Sequence, residues 1–364
     1  MAVEGAVISI WDGKNIESVA ICAHYLRVMG APTHIRGRRL AAPFRLAAVS
    51  AVTLLPLLTA PLAVAGSDIA VPAGARDVSH EWQAFKRNGV LDAELVEAAY
   101  ATVLDELRGY KVVVVPSYLS GLLIDVGALG LTDYFRAPID ALKADGIETV
   151  MAPIDTEESV AENGRRLAAY IAVSKRPVCI ISHSKGGLDT LEFLLRAEPQ
   201  FRRQVACWVV LQAPFGGSPV ADLIVAEDWT RGIAKPVLRA LGGSGKSIDD
   251  LTVENRKKYM SKYAQYIENI GKSFPIIVLA TYLDASQIPT LHMAPTHRWM
   301  TDNGIKNDGL VPLSSAILPG ARYVVIPGLD HTDPIANKPF VGNPIDRILL
   351  WKSLLYLALS DRPT

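Results

Sequence analysis

Apolar positions in this chain come in short unbroken blocks rather than in strict alternation with polar ones. "YKVVVVP", Tyr110 to Pro116, shows the type: four valines in a row, closed by proline. Successive strand side chains point to opposite faces, so a run that is apolar throughout fits a strand covered on both sides. The same reading gives strands at Glu148–Ala152, Val178–Ile181, Gln204–Ala213, Phe274–Leu283 and Ala321–Gly328. Between them, Asp133–Leu142, Glu157–Val173 and Gly187–Ala197 read as helices, and Leu349–Leu359 as a largely apolar closing helix. Ahead of the first strand, Ser67–Gly74 reads as an irregular arm. Glu81–Leu107 reads as largely helical, with Leu91, Leu95 and Ala98 on one face. Buried strands alternating with helices predict an α/β class with a mostly parallel central sheet flanked by helices. From Gly217 to Lys272 the strand rhythm stops, and the sequence predicts a helical cap insertion at about 219–272.

One block is different in kind. Leu46 to Ala65 is twenty residues without a charge, preceded by Arg36, Arg38, Arg39 and Arg45. A span of about 20 apolar residues can cross a bilayer, but Pro56, Pro61 and the many alanines weaken that reading. Ala63-Val64-Ala65 has the small-x-small form of an export cleavage site. Starting from Met29 puts the basic segment, the apolar segment and the cleavage site in order. Residues 1–28 are therefore expected to be an upstream extension, 29–65 a signal peptide and 66–364 the folded domain. Retention of 46–65 as a membrane anchor is the alternative. The expected location is exported, periplasmic or secreted.

Charge excludes one class of partner. With 37 Lys+Arg against 37 Asp+Glu the chain is formally neutral, and it has no basic run with interleaved aromatics, so nothing collects nucleic acid. Cleavage after Ala65 would leave a slightly acidic protein. Cys179 and Cys207 would survive that cleavage; they fall in strand-like runs and are expected to be free, buried thiols. Asp284 and Asp302 have no ordered ligand spacing and read as solvated loop carboxylates rather than metal ligands. No cofactor is implied.

The chemistry gathers around "CIISHSKGGLDTLEF", Cys179 to Phe193. Ser184 follows a buried strand and precedes a helix. A sharp strand-to-helix turn lifts a serine oxygen above the sheet end, and small neighbours let the two elements approach. Gly186 stands two positions after the serine; Ser182, two before, takes the place where glycine is commoner. The bland alternative is a serine that only caps the helix. His183 is too near along the chain to be assumed as the base. A serine needs a base, and the base an orienting carboxylate. "KNDGLVPLSSA" offers Asp308 in a loop, and "VVIPGLDHTDPI" offers His331 just after a strand. Asp330 and Asp333 compete for the carboxylate role. Backbone N–H donors for an oxyanion are expected at Lys185 and in the loop after the first core strand, at Ser117 or Tyr118, with Tyr118 favoured.

These segments resemble the α/β-hydrolase superfamily, and within it the bacterial triacylglycerol-lipase-like esterases. The elbow, "LQAPFGGSPVADL" (Leu211 to Leu223), "NDGLVPLSSA" (Asn307 to Ala316) and the Asp330-His331 pair occur in the family's order. The resemblance implies Ser184 as nucleophile, Asp308 as acid, His331 as base, Tyr118 and Lys185 as oxyanion donors, and the insertion as a lid. Two departures stand out: Pro116-Ser117 where such lipases begin this loop with His-Gly, and Ser182 in place of the first elbow glycine. The expected activity is hydrolysis of a small-molecule or lipid ester through an acyl-enzyme, with transient lipid-surface contact through the cap. An acyltransferase or polyester depolymerase would use the same residues. A non-catalytic binding protein on the same fold is the alternative of another class.

Overall fold

The computed structural model describes residues 71–117, 134–226, 247–290, 293–338 and 343–360, apart from the Ser273 side chain. Nine strands appear among them. They are β1 (Arg76–Asp77), β2 (Lys86–Arg87), β3 (Val90–Leu91), β4 (Lys111–Val115), β5 (Glu148–Met151), β6 (Val178–His183), β7 (Val205–Leu211), β8 (Ile276–Tyr282) and β9 (Arg322–Pro327). Seven form one sheet in the order β1-β9-β8-β7-β6-β4-β5, and every pairing in it is parallel. Parallel neighbours need crossover connections, which the helices supply. Four helices matter most below: α1 (Ala93–Gly109), α2 (Val160–Ala172), α3 (Lys185–Arg196) and α4 (Arg347–Ser360).

The valine run explains the layering. Val112 and Val114 join one apolar cluster with Val96, Tyr100, Leu350 and Leu354 of α1 and α4. Val113 and Val115 join another with Leu167, Ile171, Leu188 and Leu191 of α2 and α3. One strand thus feeds two cores, as the unbroken run predicts. Its parallel neighbours do likewise: Ile181 and Val209 point to the first cluster, Ile180 and Val210 to the second.

Two expectations need correction. Glu81–Leu107 is not one helix. Asn88 and Gly89 both have positive φ, +53° and +83°, and turn the chain between β2 and β3. An Asn-Gly pair favours this left-handed turn, and the strands beside it are too short to carry a periodicity. The helix begins only at Ala93, where Asp92 accepts a hydrogen bond from the Leu95 N–H at 3.1 Å. Its buried face is Val96, Tyr100, Val103 and Leu107, and Ala98 is exposed. Just past the expected arm, β1 pairs with β9. The second correction is that Cys179 and Cys207 are joined in a disulfide. Parallel register sets them opposite each other on β6 and β7, on the same face and fully buried. Sequence spacing alone does not reveal register.

The insertion contains helices Pro219–Val225, Val253–Lys262 and Ala264–Ser273 with a short 3-10 turn at Ile248–Leu251; residues 227–246 lie outside the described set. So does the apolar block 46–65. Among the described residues, no helix is long and apolar enough to cross a membrane.

Candidate active site

The carboxyl ends of the parallel strands come out on one side, where ligands of open α/β sheets sit. Ser184 immediately follows β6 at φ 53° and ψ −126°, a backbone that costs a non-glycine residue about 1–3 kcal/mol. Its N–H donates to Leu211 O at 2.8 Å. The following glycines are demanded by contact. A Cβ on Gly186 would lie 2.5 Å from Val115 O and 2.6 Å from Pro116 O. On Gly187 it would lie 2.4 Å from the Ala213 Cβ. Helix α3 therefore starts in contact with the ends of neighbouring strands. Ser182 has its own partner, for its Oγ accepts the buried Trp208 indole N–H at 2.8 Å. The missing first glycine is thus a serine that satisfies a buried donor.

The structure brings Ser184, His331 and Asp308 together from three separate segments. His331 Nδ1 is 2.8 Å from Asp308 Oδ2, and His331 Nε2 is 2.9 Å from Ser184 Oγ. A carboxylate only accepts, so Nδ1 carries the hydrogen and Nε2 is left to accept from the serine hydroxyl. Asp308 Oδ1 accepts the N–H groups of Leu310 at 3.0 Å and Val311 at 2.7 Å. The main chains are joined as well, since His331 N–H donates to Asp308 O at 2.9 Å. Gly309 makes the loop possible at φ +104°. Asp308 and His331 are buried while Ser184 is partly open.

The competing carboxylates face elsewhere. Asp330 accepts from the Thr290 N–H and hydroxyl, both at 2.7 Å, and from Lys338 Nζ at 2.6 Å. Burial alone would raise it, but Lys338 and Thr290 more than offset that and bring it down to about 2. Asp333 accepts the Asp330 N–H at 2.6 Å; burial and the Asp330 charge push it up to about 6. Together they tie the His331 loop to the segment at Thr290. His297 is buried on the helix Ala294–Asp302 and takes no part in this cluster.

The two expected oxyanion donors fare differently. Lys185 is the first residue of α3, and the first N–H groups of a helix have no intrahelical acceptor. Its side chain turns into the protein, where Nζ meets Asp189 Oδ1 at 3.0 Å and Asn163 holds the other carboxylate oxygen at 3.0 Å. That buried pair was legible only as an i, i+4 spacing. Tyr118 lies outside the described residues. Ser117 Oγ is 2.8 Å from the buried Tyr134 hydroxyl. Sequence reasoning missed Tyr134, and also His183 and Gln212, which pack behind His331.

The comparisons agree with this architecture. A profile of the lecithin:cholesterol acyltransferase family matches residues 166–247, from α2 through the serine turn into the insertion. No curated protein matches the chain. Among solved structures, the metagenomic carboxyl esterase MGS0156 is similar at 18% identity with TM-score 0.59, covering 82% of this chain and 97% of its own. Lipase BlEst2 of Bacillus licheniformis in mature form is 21% identical, with TM-score 0.48 over 62% of this chain and 85% of its own. Lipase 1 of Pelosinus fermentans is 12% identical, with TM-score 0.43 over 70% and 99%. At 18% identity the likeness to the metagenomic esterase is one of fold alone: a mostly parallel central sheet flanked by helices, as in the α/β-hydrolase fold.

Proposed function

We propose that the protein is a serine carboxylic-ester hydrolase acting on a lipid or other hydrophobic ester. The observation that carries this is the unbroken hydrogen-bond line Ser184–His331–Asp308 at a strained turn on the sheet end. In this reading His331 Nε2 takes the Ser184 proton as Oγ attacks the ester carbonyl carbon. The Lys185 and Tyr118 N–H groups receive the oxyanion. The intermediate collapses, the C–O bond to the alcohol breaks, and His331 returns the proton to the leaving oxygen. Water then enters the same cycle and releases the acid. Asp308 fixes the ring tautomer and stabilises the imidazolium. No cofactor takes part.

The acyltransferase match favours a second reading in which an alcohol replaces water in the second half. Export through residues 29–65 belongs to the same proposal, supported by the Cys179–Cys207 disulfide, since such bonds persist in oxidising compartments. So does the insertion at about 219–272 as a cap over the site, touching a lipid surface transiently.

The test is hydrolysis of p-nitrophenyl esters of short, medium and long acyl chains by wild type and Ser184→Ala. Turnover that vanishes in the variant supports the reading, and a wild type inert on the whole series counts against it. Adding a long-chain alcohol and measuring the ester formed separates transfer from hydrolysis.

A further inference from the structure

Two peptide carbonyls beside the His331 ring are held by side chains from the ends of β6 and β7. Gln212, the residue after β7, donates Nε2–H to Asp330 O at 2.9 Å. His183, the last residue of β6, places Nε2 3.0 Å from His331 O and 3.2 Å from Gln212 Oε1. The sense of these bonds is fixed because carbonyls only accept. The Gln212 amide must turn its NH2 toward Asp330, so its oxygen faces His183, and His183 Nε2 must carry the hydrogen. His183 Nδ1 is then a buried lone pair with no hydrogen-bond partner among the described residues. Burial drives His183 well below the usual histidine range, and the neighbouring His331 adds to that. A neutral ring therefore sits with its centroid 4.8 Å from that of His331, and it adds no charge to oppose an imidazolium there.

Gln212 brings an independent observation. It is fully buried yet stands at φ +52°, a conformation that costs a non-glycine residue about 1–3 kcal/mol. That backbone aims the amide at Thr281, His183 and the His331 loop. His183 and Ser184, adjacent in sequence, thus grip one histidine at opposite ends, the first its main chain and the second its ring.

We propose that His183 and Gln212 are positioning residues, an imidazole–carboxamide pair that locks the carbonyls of Asp330 and His331 and so sets the His331 ring between Asp308 and Ser184. This rests on the hydrolase reading above. The test compares wild type with His183→Leu, His183→Gln and Gln212→Met. His183→Leu lowers kcat by about tenfold to a hundredfold, the scale of a small misplacement at a reacting centre, with KM nearly unchanged. His183→Gln keeps an N–H donor near the Nε2 position and restores most of the rate. Proton NMR of the His331 Nδ1–H supplies a readout that needs no turnover: its downfield signal shifts or broadens in His183→Leu and not in His183→Gln. Should His183→Leu not fold, Gln212→Met carries the same comparison. Wild-type kcat and NMR in the Leu and Met variants would overturn the proposal, as would equal losses in the Leu and Gln variants. Absence of Ser184-dependent turnover in wild type would defeat the hydrolase reading instead, and the NMR arm would still decide the positioning.

Discussion

The serine turn and the loops that carry Asp308 and His331 meet at one point but are built in opposite ways. The turn is held by main-chain contact: Gly186 and Gly187 lie against neighbouring strand ends with no room for a methyl group. The acid and base loops have no such wall. They are held by side chains that bond to main chain, Asp308 to Leu310 and Val311, Asp330 to Thr290 and Thr332, Gln212 to Asp330. A rigid element thus presents the nucleophile, and a network of polar bonds tunes the partner that must change protonation. The first arrangement fails sterically, the second by loss of polar partners.

The largest expected effect lies at the junction. Asp308→Asn keeps the fold's packing but disturbs the His331 tautomer, and ester turnover should fall about 10⁴-fold, as for the equivalent change in other triads. Steady-state kinetics on one active ester checks it; a loss under about tenfold would remove Asp308 from the mechanism. Next comes the rigid half. Gly186→Ala must push a methyl into two carbonyl oxygens and should cost about 3 kcal/mol, the upper range for overpacking. Gly109→Ala, where a Cβ meets nothing within 4 Å, should be neutral or stabilising by up to about 1 kcal/mol. Urea unfolding of the pair breaks the comparison if both behave alike. Ser182→Gly, which would restore the commoner elbow residue, leaves the Trp208 N–H without its acceptor and should lose about 1–3 kcal/mol.

The smallest effect is a pH dependence in the polar half. Asp333 is raised to about 6 in the folded protein, above the ordinary carboxylate near 3.9. Between pH 4 and 6 the native state therefore holds a proton that the unfolded chain has released, and this group's contribution is lost as pH rises through that window. Asp330, lowered to about 2, works the other way, its contribution disappearing as pH falls from 4 toward 2. Asp333→Asn should thus gain in melting temperature relative to wild type as pH rises from 4 to above 6. A constant difference across that range would show that folding does not raise the Asp333 carboxyl.

The same contrast explains what could be read from the sequence. The six core strands were legible because both faces of each are apolar, and Ser184 because glycines and a strand end surround it. Asp308 and His331 could be nominated from loop position and order, though not their contact, which depends on two loops meeting. Register was invisible, so Cys179 and Cys207 looked like separate thiols. His183 and Gln212 escaped because their work lies in bonds to distant main-chain carbonyls, and a backbone carbonyl leaves no mark in sequence. The hairpin at Asn88-Gly89 had a signal, overshadowed by the helical pattern after it.

The central claim is that Ser184 carries the acyl group. Wild type should be mixed with a p-nitrophenyl ester, quenched in acid within the first turnovers, digested and weighed by mass spectrometry. The account predicts the acyl mass on the peptide containing Ser184, and none in Ser184→Ala. Ester turnover by wild type with Ser184 unmodified, or with the acyl group on another residue, would contradict it.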